Sequence, residues 1–115
     1  MSNDLTAGKQ FYQRQLDFLY AKDAEGLIDN NYTEDAVLIS FDHTIRGRQA
    51  LKEYFRGYLE MLGDLKVTST DKFTETPESI FFEATVQTGK FGVVHVFDAM
   101  VLRDGKISHH FTGVK

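Results

Sequence analysis

The stretch from Phe91 to Val114, FGVVHVFDAMVLRDGKISHHFTGV, restricts the folds open to this chain more than any other. Two apolar runs flank Arg103-Asp104-Gly105-Lys106, which reads as a tight hairpin turn. The first run is long and holds one acid, Asp98, in its middle. Strand side chains alternate with period two, so if Val94, Val96, Met100 and Leu102 face a core, Asp98 faces it too. A carboxylate there needs a partner, a shifted pKa or a cavity to line. By the same alternation His110, Thr112 and Val114 are expected on the face of Asp98. Val93, His95, Phe97, Ala99, Val101, Ile107, His109 and Phe111 are expected on the other. Both faces are largely apolar, and helices can cover only one. The second face is therefore expected to be buried by another copy of the chain, as a twofold dimer.

The rest of the chain supplies the helices. Residues 5 to 21 read as a helix, with Asn3 or Thr6 as cap and Phe11, Tyr12, Leu16, Leu19 and Tyr20 as its apolar face. Asp23 is a good N-cap for a short helix over about residues 24 to 31, carrying Leu27, Ile28 and Tyr32 inward. The cluster Thr33-Glu34-Asp35 is expected to end it. Ala36 to Phe41 reads as a buried strand, Asp42-His43 as a turn, and Thr44 to Arg46 as a short segment pairing back. Gly47 breaks the chain before a third helix, from about 48 to 62, with Leu51, Phe55, Tyr58, Leu59 and Leu62 on one face. Gly63 is its C-terminal stop.

The pattern then switches to period two. Lys66 to Glu75 reads as a rather polar strand, and Thr76-Pro77-Glu78-Ser79 as a turn. Ile80, Phe82, Ala84 and Val86 alternate with Phe81, Glu83, Thr85 and Gln87. Thr88-Gly89-Lys90 is another turn. Three helices with a short hairpin among them, followed by four antiparallel strands, predict an α+β fold over residues 1–115, a length that suits one domain.

Composition narrows the function. A net charge of −4, with the 13 Lys and Arg scattered along the chain, speaks against nucleic-acid binding, which calls for a basic stripe. There is no cysteine, so disulfides, thiolate catalysis and cysteine metal sites are excluded. No apolar run approaches the ~20 residues of a membrane span. The first residues, MSNDLTAGKQ, carry no signal-peptide pattern, so a soluble cytoplasmic protein is expected. The four His stand at no metal-ligand spacing, and no Gly-rich phosphate loop is present. No metal and no cofactor are expected.

Asp98 is the leading candidate for chemistry. It reads as a pocket acid that exchanges a proton or anchors a ligand group, or else as a strand acid paired with Arg46 or His110 or turned outward by a bulge. His110 on the same face would complete an acid–base pair, since imidazole titrates near neutrality and a carboxylate orients it. The bland alternative is a core histidine bonded to the backbone. Asp42 and His43 form a second, turn-borne pair that solvent is expected to reach.

The order of elements and three motifs resemble the nuclear transport factor 2-like superfamily, more narrowly its SnoaL-like and ketosteroid isomerase-like branch. The motifs are Tyr20-Ala21-Lys22-Asp23-Ala24-Glu25-Gly26-Leu27, Tyr32-Thr33-Glu34-Asp35-Ala36-Val37 and Arg46-Gly47-Arg48-Gln49-Ala50-Leu51-Lys52-Glu53-Tyr54-Phe55. They are joined by Phe97-Asp98-Ala99-Met100-Val101-Leu102 with Asp104-Gly105-Lys106-Ile107 near the end. The resemblance implies a cone, in which a curved antiparallel sheet wraps a long N-terminal helix around a cavity and pairs through its outer face. It places Asp98 at the position of the protonated strand acid of ketosteroid isomerases, a site built from a base, a tyrosine and that acid. The base position falls at Ser40, with Asp42 two residues on, and the tyrosine position falls near Gln15, with Tyr12 one turn away. What it implies for this chain is a small apolar, cyclic or polyketide-like ligand in the cone and cofactor-free isomerase, cyclase or dehydratase chemistry at Asp98 and His110. A non-catalytic binding or dimerisation module on the same fold is the alternative. The expected ligand contacts are the hydroxyls of Ser40 and Thr112 and the walls formed by Tyr12, Phe55, Tyr58, Phe82 and Met100. Closure of the cavity by Phe55, Phe82 and Met100 would favour the non-catalytic module.

Overall fold

A computed structural model describes residues 5–115. Helix α1 runs over Ala7–Tyr20, α2 over Ala24–Asn31 and α3 over Arg48–Leu62. The strands are β1 (Tyr32–Ile39), β2 (Thr44–Arg46), β3 (Leu65–Thr76), β4 (Ser79–Thr88), β5 (Gly92–Arg103) and β6 (Lys106–Val114). The helix starts follow their caps: the Thr6 side chain accepts from the Lys9 N–H, and that of Asp23 from the Gly26 N–H. Asn3, the other candidate cap, lies outside the described residues. Gly47 (φ 87°) and Gly63 (φ 73°) bracket α3 in backbone conformations that disfavour side chains.

The six strands form one mixed sheet in the order β2-β1-β6-β5-β4-β3. The antiparallel meander β3 to β6 is as expected, and β1 adds a parallel pairing to β6. Register shifts in β3, between Val67 and Ser69 and between Thr70 and Lys72, bend the strand as bulges do. The helices cover the inner face. Leu27, Ile28, Tyr32, Leu51, Ile80 and Ile107 are fully or almost fully buried between the layers. Among the described residues, no helix is long and apolar enough to cross a membrane.

Three local expectations are corrected. Thr33-Glu34-Asp35 does not end α2; it lies inside β1, which begins at Tyr32 because Tyr32 pairs with Ile107, and the register shifts before Val37. Phe41 is not part of that strand: β1 ends at Ile39, and Phe41 sits 93% exposed in the turn that follows. Ile107 belongs to the core, not to the outer face. Leu102 pairs with Ile107 but Val101 pairs with His109, so Ser108 is an extra residue. Its hydroxyl donates to the Val101 carbonyl at 3.2 Å and pins the bulge.

That bulge decides the site. An unbroken ladder from Leu102–Ile107 would set His109 opposite Met100; with Ser108 inserted, His110 takes that place. His110 therefore points inward and is 4% exposed, while His109 is exposed.

Candidate functional site

A cavity of about 320 Å³ lies between the inner sheet face, α1 and α3. All nine residues expected at the site line it: Asp98 and His110, with Ser40, Tyr12, Phe55, Tyr58, Phe82, Met100 and Thr112. Phe55, Phe82 and Met100 form walls and leave the space open. Leu, Val and aromatic side chains make up most of the rest, and no Lys or Arg stands among the lining residues. Among the described residues, no group of three His, Asp or Glu converges as a metal site.

At the inner end, Nε2 of His110 lies 2.7 Å from Oδ1 of Asp98. The two side chains are 5% and 14% exposed. Of the two partners expected for Asp98, His110 is the one it meets. Among the described residues Oδ2 of Asp98 receives no hydrogen bond, and no buried polar side-chain atom is left unpaired, so Oδ2 opens on the cavity.

Behind His110 stands a polar chain that motif reasoning missed. The Tyr32 hydroxyl meets Nδ1 of His110 at 2.8 Å, and the Gln15 amide donates to the Tyr32 oxygen at 3.0 Å. The Asn31 amide donates to Oε1 of Gln15 at 2.9 Å, and Nε of Arg14 donates to Oδ1 of Asn31 at 3.1 Å. Tyr32, Gln15 and Asn31 are buried, while Arg14 is exposed over the Phe11 ring. Tyr32 is also fixed through its backbone, because Nε and Nη2 of Arg48 donate to its carbonyl. One sequence signal marked this chain. Gln15 interrupts the apolar face of α1 between Phe11 and Leu19, and a polar residue buried there must find partners.

The tyrosines are kept protonated. Burial pushes the Tyr58 phenol up to about 12, and the charge of Asp98 adds to the effect. Burial raises Tyr54 in the same way, again with Asp98 second. Tyr12 is raised by burial, partly offset by its hydrogen bond with Thr70 at 2.8 Å. Burial drives Tyr32 far above its usual value, against the opposing pull of the Gln15 amide. Among the described residues the Tyr54 and Tyr58 hydroxyls have no hydrogen-bond partner, so they remain available as donors in the cavity.

The mouth is different. The Ser40 hydroxyl donates to the His43 carbonyl at 3.3 Å and accepts from the N–H groups of Asp42 and His43. It holds a turn and has no hydrogen left for a ligand. The His43 ring packs on Tyr54 with centroids 5.4 Å apart.

This architecture is that of the nuclear transport factor 2-like fold. An NTF2-like protein from Anabaena variabilis superposes with a TM-score of 0.75 at 19% identity, covering 100% of this chain and 94% of its own. A proposed isomerase of the SnoaL-like family from Agrobacterium tumefaciens gives 0.81 at 12% identity, covering 96% and 99%. A proposed polyketide cyclase from Sinorhizobium meliloti gives 0.77 at 15% identity, covering 96% of each chain. No curated protein matches the chain in sequence. The sequence matches the SnoaL-like domain over residues 12–110, and the chain belongs to that family.

Proposed function

We propose that the cavity takes a small, neutral, mostly apolar cyclic molecule and that Asp98 is its acid–base group in a cofactor-free isomerase, cyclase or dehydratase type of reaction. One observation carries this reading: a carboxylate held at 2.7 Å by a buried imidazole, with its second oxygen open on an apolar cavity. Oδ2 would take a proton from a carbon beside a carbonyl and return it elsewhere on the same skeleton. Tyr58, protonated at neutral pH, would donate to the carbonyl oxygen as charge gathers there. Among the described residues the lining holds no Lys or Arg, so a ligand carrying a carboxylate would meet Asp98 uncompensated. The isomerase and cyclase descriptions of the two bacterial neighbours agree with this class of chemistry.

The test is a panel of cyclic ketones, phenols and carboxylic acids. Thermal shift reads binding, and NMR in deuterated water reads loss of protons beside the ketone carbonyl. Neutral ligands should raise the melting temperature by mass action and carboxylic acids should not. Exchange should fall by about 10²-fold or more in Asp98→Asn. Exchange that survives this change would sink the catalytic role of Asp98. Binding without exchange in the wild type would favour the non-catalytic module, which the residues at the ketosteroid isomerase positions also favour: Ser40 is spent on a turn and Gln15 on Tyr32.

We also propose that the outer sheet face pairs two copies. Phe81, Ala99 and Phe111 sit side by side across β4, β5 and β6, with Val101 adjacent, and Phe81, Phe111 and Val101 are 49%, 43% and 39% exposed. Light scattering should give a dimer mass, and Phe111→Lys a monomer. A monomer mass for the wild type at micromolar concentration overturns the pairing.

A further inference from the structure

We infer that Arg14, acting through Asn31, Gln15 and Tyr32, holds His110 in the single tautomer that carries its proton on Nε2. A guanidinium can only donate, so Arg14 fixes Oδ1 of Asn31 as the acceptor. That turns the Asn31 amide nitrogen toward Oε1 of Gln15, and the Gln15 nitrogen toward the Tyr32 oxygen. With its oxygen occupied as an acceptor, the Tyr32 hydroxyl spends its single hydrogen on Nδ1 of His110. Nδ1 is thereby an acceptor. The ring proton sits on Nε2 and is donated to Asp98.

The reverse polarity fails at Tyr32. A proton on Nδ1 would make the Tyr32 oxygen accept from both sides and leave its own hydrogen without a partner. Tyr32 is 0% exposed, Asn31 0%, Gln15 3% and His110 4%, so water is not at hand to repair the loss. Arg14 and Asp98 are thus opposite poles of one directed chain from the surface to the cavity.

The chemical consequence rests on the proposed role of Asp98. Both nitrogens of His110 are engaged, so it cannot accept a ligand proton without breaking the chain. His110 becomes a positioning residue that supplies one N–H to Oδ1 and leaves Oδ2 to react. Arg14, Asn31, Gln15 and Tyr32 position it in turn, and none of the four was assigned a part in the chemistry from the sequence.

The experiment is nitrogen-15 NMR of the histidine rings in the full chain, which reads each ring nitrogen as protonated or bare. In the wild type, Nδ1 of His110 should be bare and Nε2 protonated. Two isosteric variants reverse the chain. In Gln15→Glu, residue 15 can only accept, so the Tyr32 hydrogen turns to it and Nδ1 of His110 must become a donor. In Asn31→Asp, Gln15 flips its nitrogen toward residue 31 and presents oxygen to Tyr32, with the same result. Nδ1 should change to the protonated type in both. The Asp98 carboxylate can only accept and so imposes the same polarity from the other end. In Asp98→Asn that constraint is lifted and Arg14 alone should keep Nδ1 bare. In Asp98→Asn combined with Arg14→Met, an exposed change, both tautomers should appear.

A protonated Nδ1 in the wild type, or a bare Nδ1 in both reversed variants, overturns the relay. A protonated Nδ1 in Asp98→Asn, or a single tautomer in the Asp98→Asn, Arg14→Met double variant, overturns the place of Arg14 at its head. These readouts need no ligand. A wild type with the expected tautomer but no binding or exchange would defeat the proposed function alone. If that function holds, exchange should fall by 10-fold or more in Asn31→Asp, because the changed imidazole no longer supports a bare Asp98 carboxylate in the same way.

Discussion

At the inner end of the cavity, Asp98 and His110, with Tyr32 behind them, supply a carboxylate, an imidazole and a hydroxyl. At the mouth, Asp42, His43 and Ser40 supply the same three groups. Inside, His110 and Tyr32 are buried, Asp98 is largely so, and each group faces the next at 2.7 to 2.8 Å. At the mouth, Asp42 and His43 are exposed, and the Ser40 hydroxyl is occupied by the backbone of its own turn. Residue type therefore does not distinguish the two ends. What distinguishes them is whether water can compete, because a hydrogen bond becomes directional and costly to lose only where water is excluded.

Removing one histidine from each end should separate the two ends most. His110→Ala leaves the Asp98 carboxylate without its donor and Tyr32 without its acceptor. It should cost about 3 kcal/mol or more, the scale for stripping one partner from a buried pair. His43→Ala should stay within ~0.5 kcal/mol, as surface changes do. Urea unfolding of both variants checks the contrast. Equal losses would mean that the inner chain is no more structural than the mouth.

A second, somewhat smaller effect comes from the phenols that line the cavity and appears with pH. Burial pushes the Tyr58 phenol up to about 12 in the folded chain, against about 10 for an unburied tyrosine. Between those values the unfolded chain has lost a proton that the folded one keeps. The unfolded state then binds fewer protons, so stability falls as pH rises. At ~1.4 kcal/mol for each pKa unit, Tyr58 alone contributes a loss of about 2–3 kcal/mol across that window. Tyr12, Tyr32 and Tyr54 are shifted the same way and steepen it. Urea midpoints measured at rising alkaline pH should fall, and less so in Tyr58→Phe. Midpoints that hold constant would show that the cavity phenols are not shielded.

Sequence periodicity made the scaffold legible, because each element carries its own local signal. Gly47 and Gly63 bound α3, Asp23 caps α2, and the turns at Pro77 and Gly105 separate strands whose alternation is plain. Asp98 stood out as the one acid in a long apolar run. The polar chain behind it was less legible, since its links join α1, α2, β1 and β6, and no local pattern joins elements so far apart in sequence. The choice between His109 and His110 shows the limit. Expecting His110 inside was right, yet the alternation from Leu102 and Ile107 alone selects His109. The Ser108 bulge reverses that, and a bulge is set by tertiary packing rather than by composition.

The smallest predicted effect tests whether the mouth is only a turn. Ser40→Ala removes one hydroxyl that accepts from two backbone N–H groups and donates to one carbonyl, all in an exposed segment. Water can take over each of these contacts, so the loss should be about 0.5–1 kcal/mol. It should appear as a small drop in the urea midpoint with an unchanged slope. Ligand affinity in the thermal-shift panel should be unaffected, because the hydroxyl has no hydrogen to offer a ligand. A selective loss of affinity with little change in stability would mean that the turn opens to release Ser40 when a ligand enters. The two ends of the cavity would then act together, and the mouth would count as part of the site.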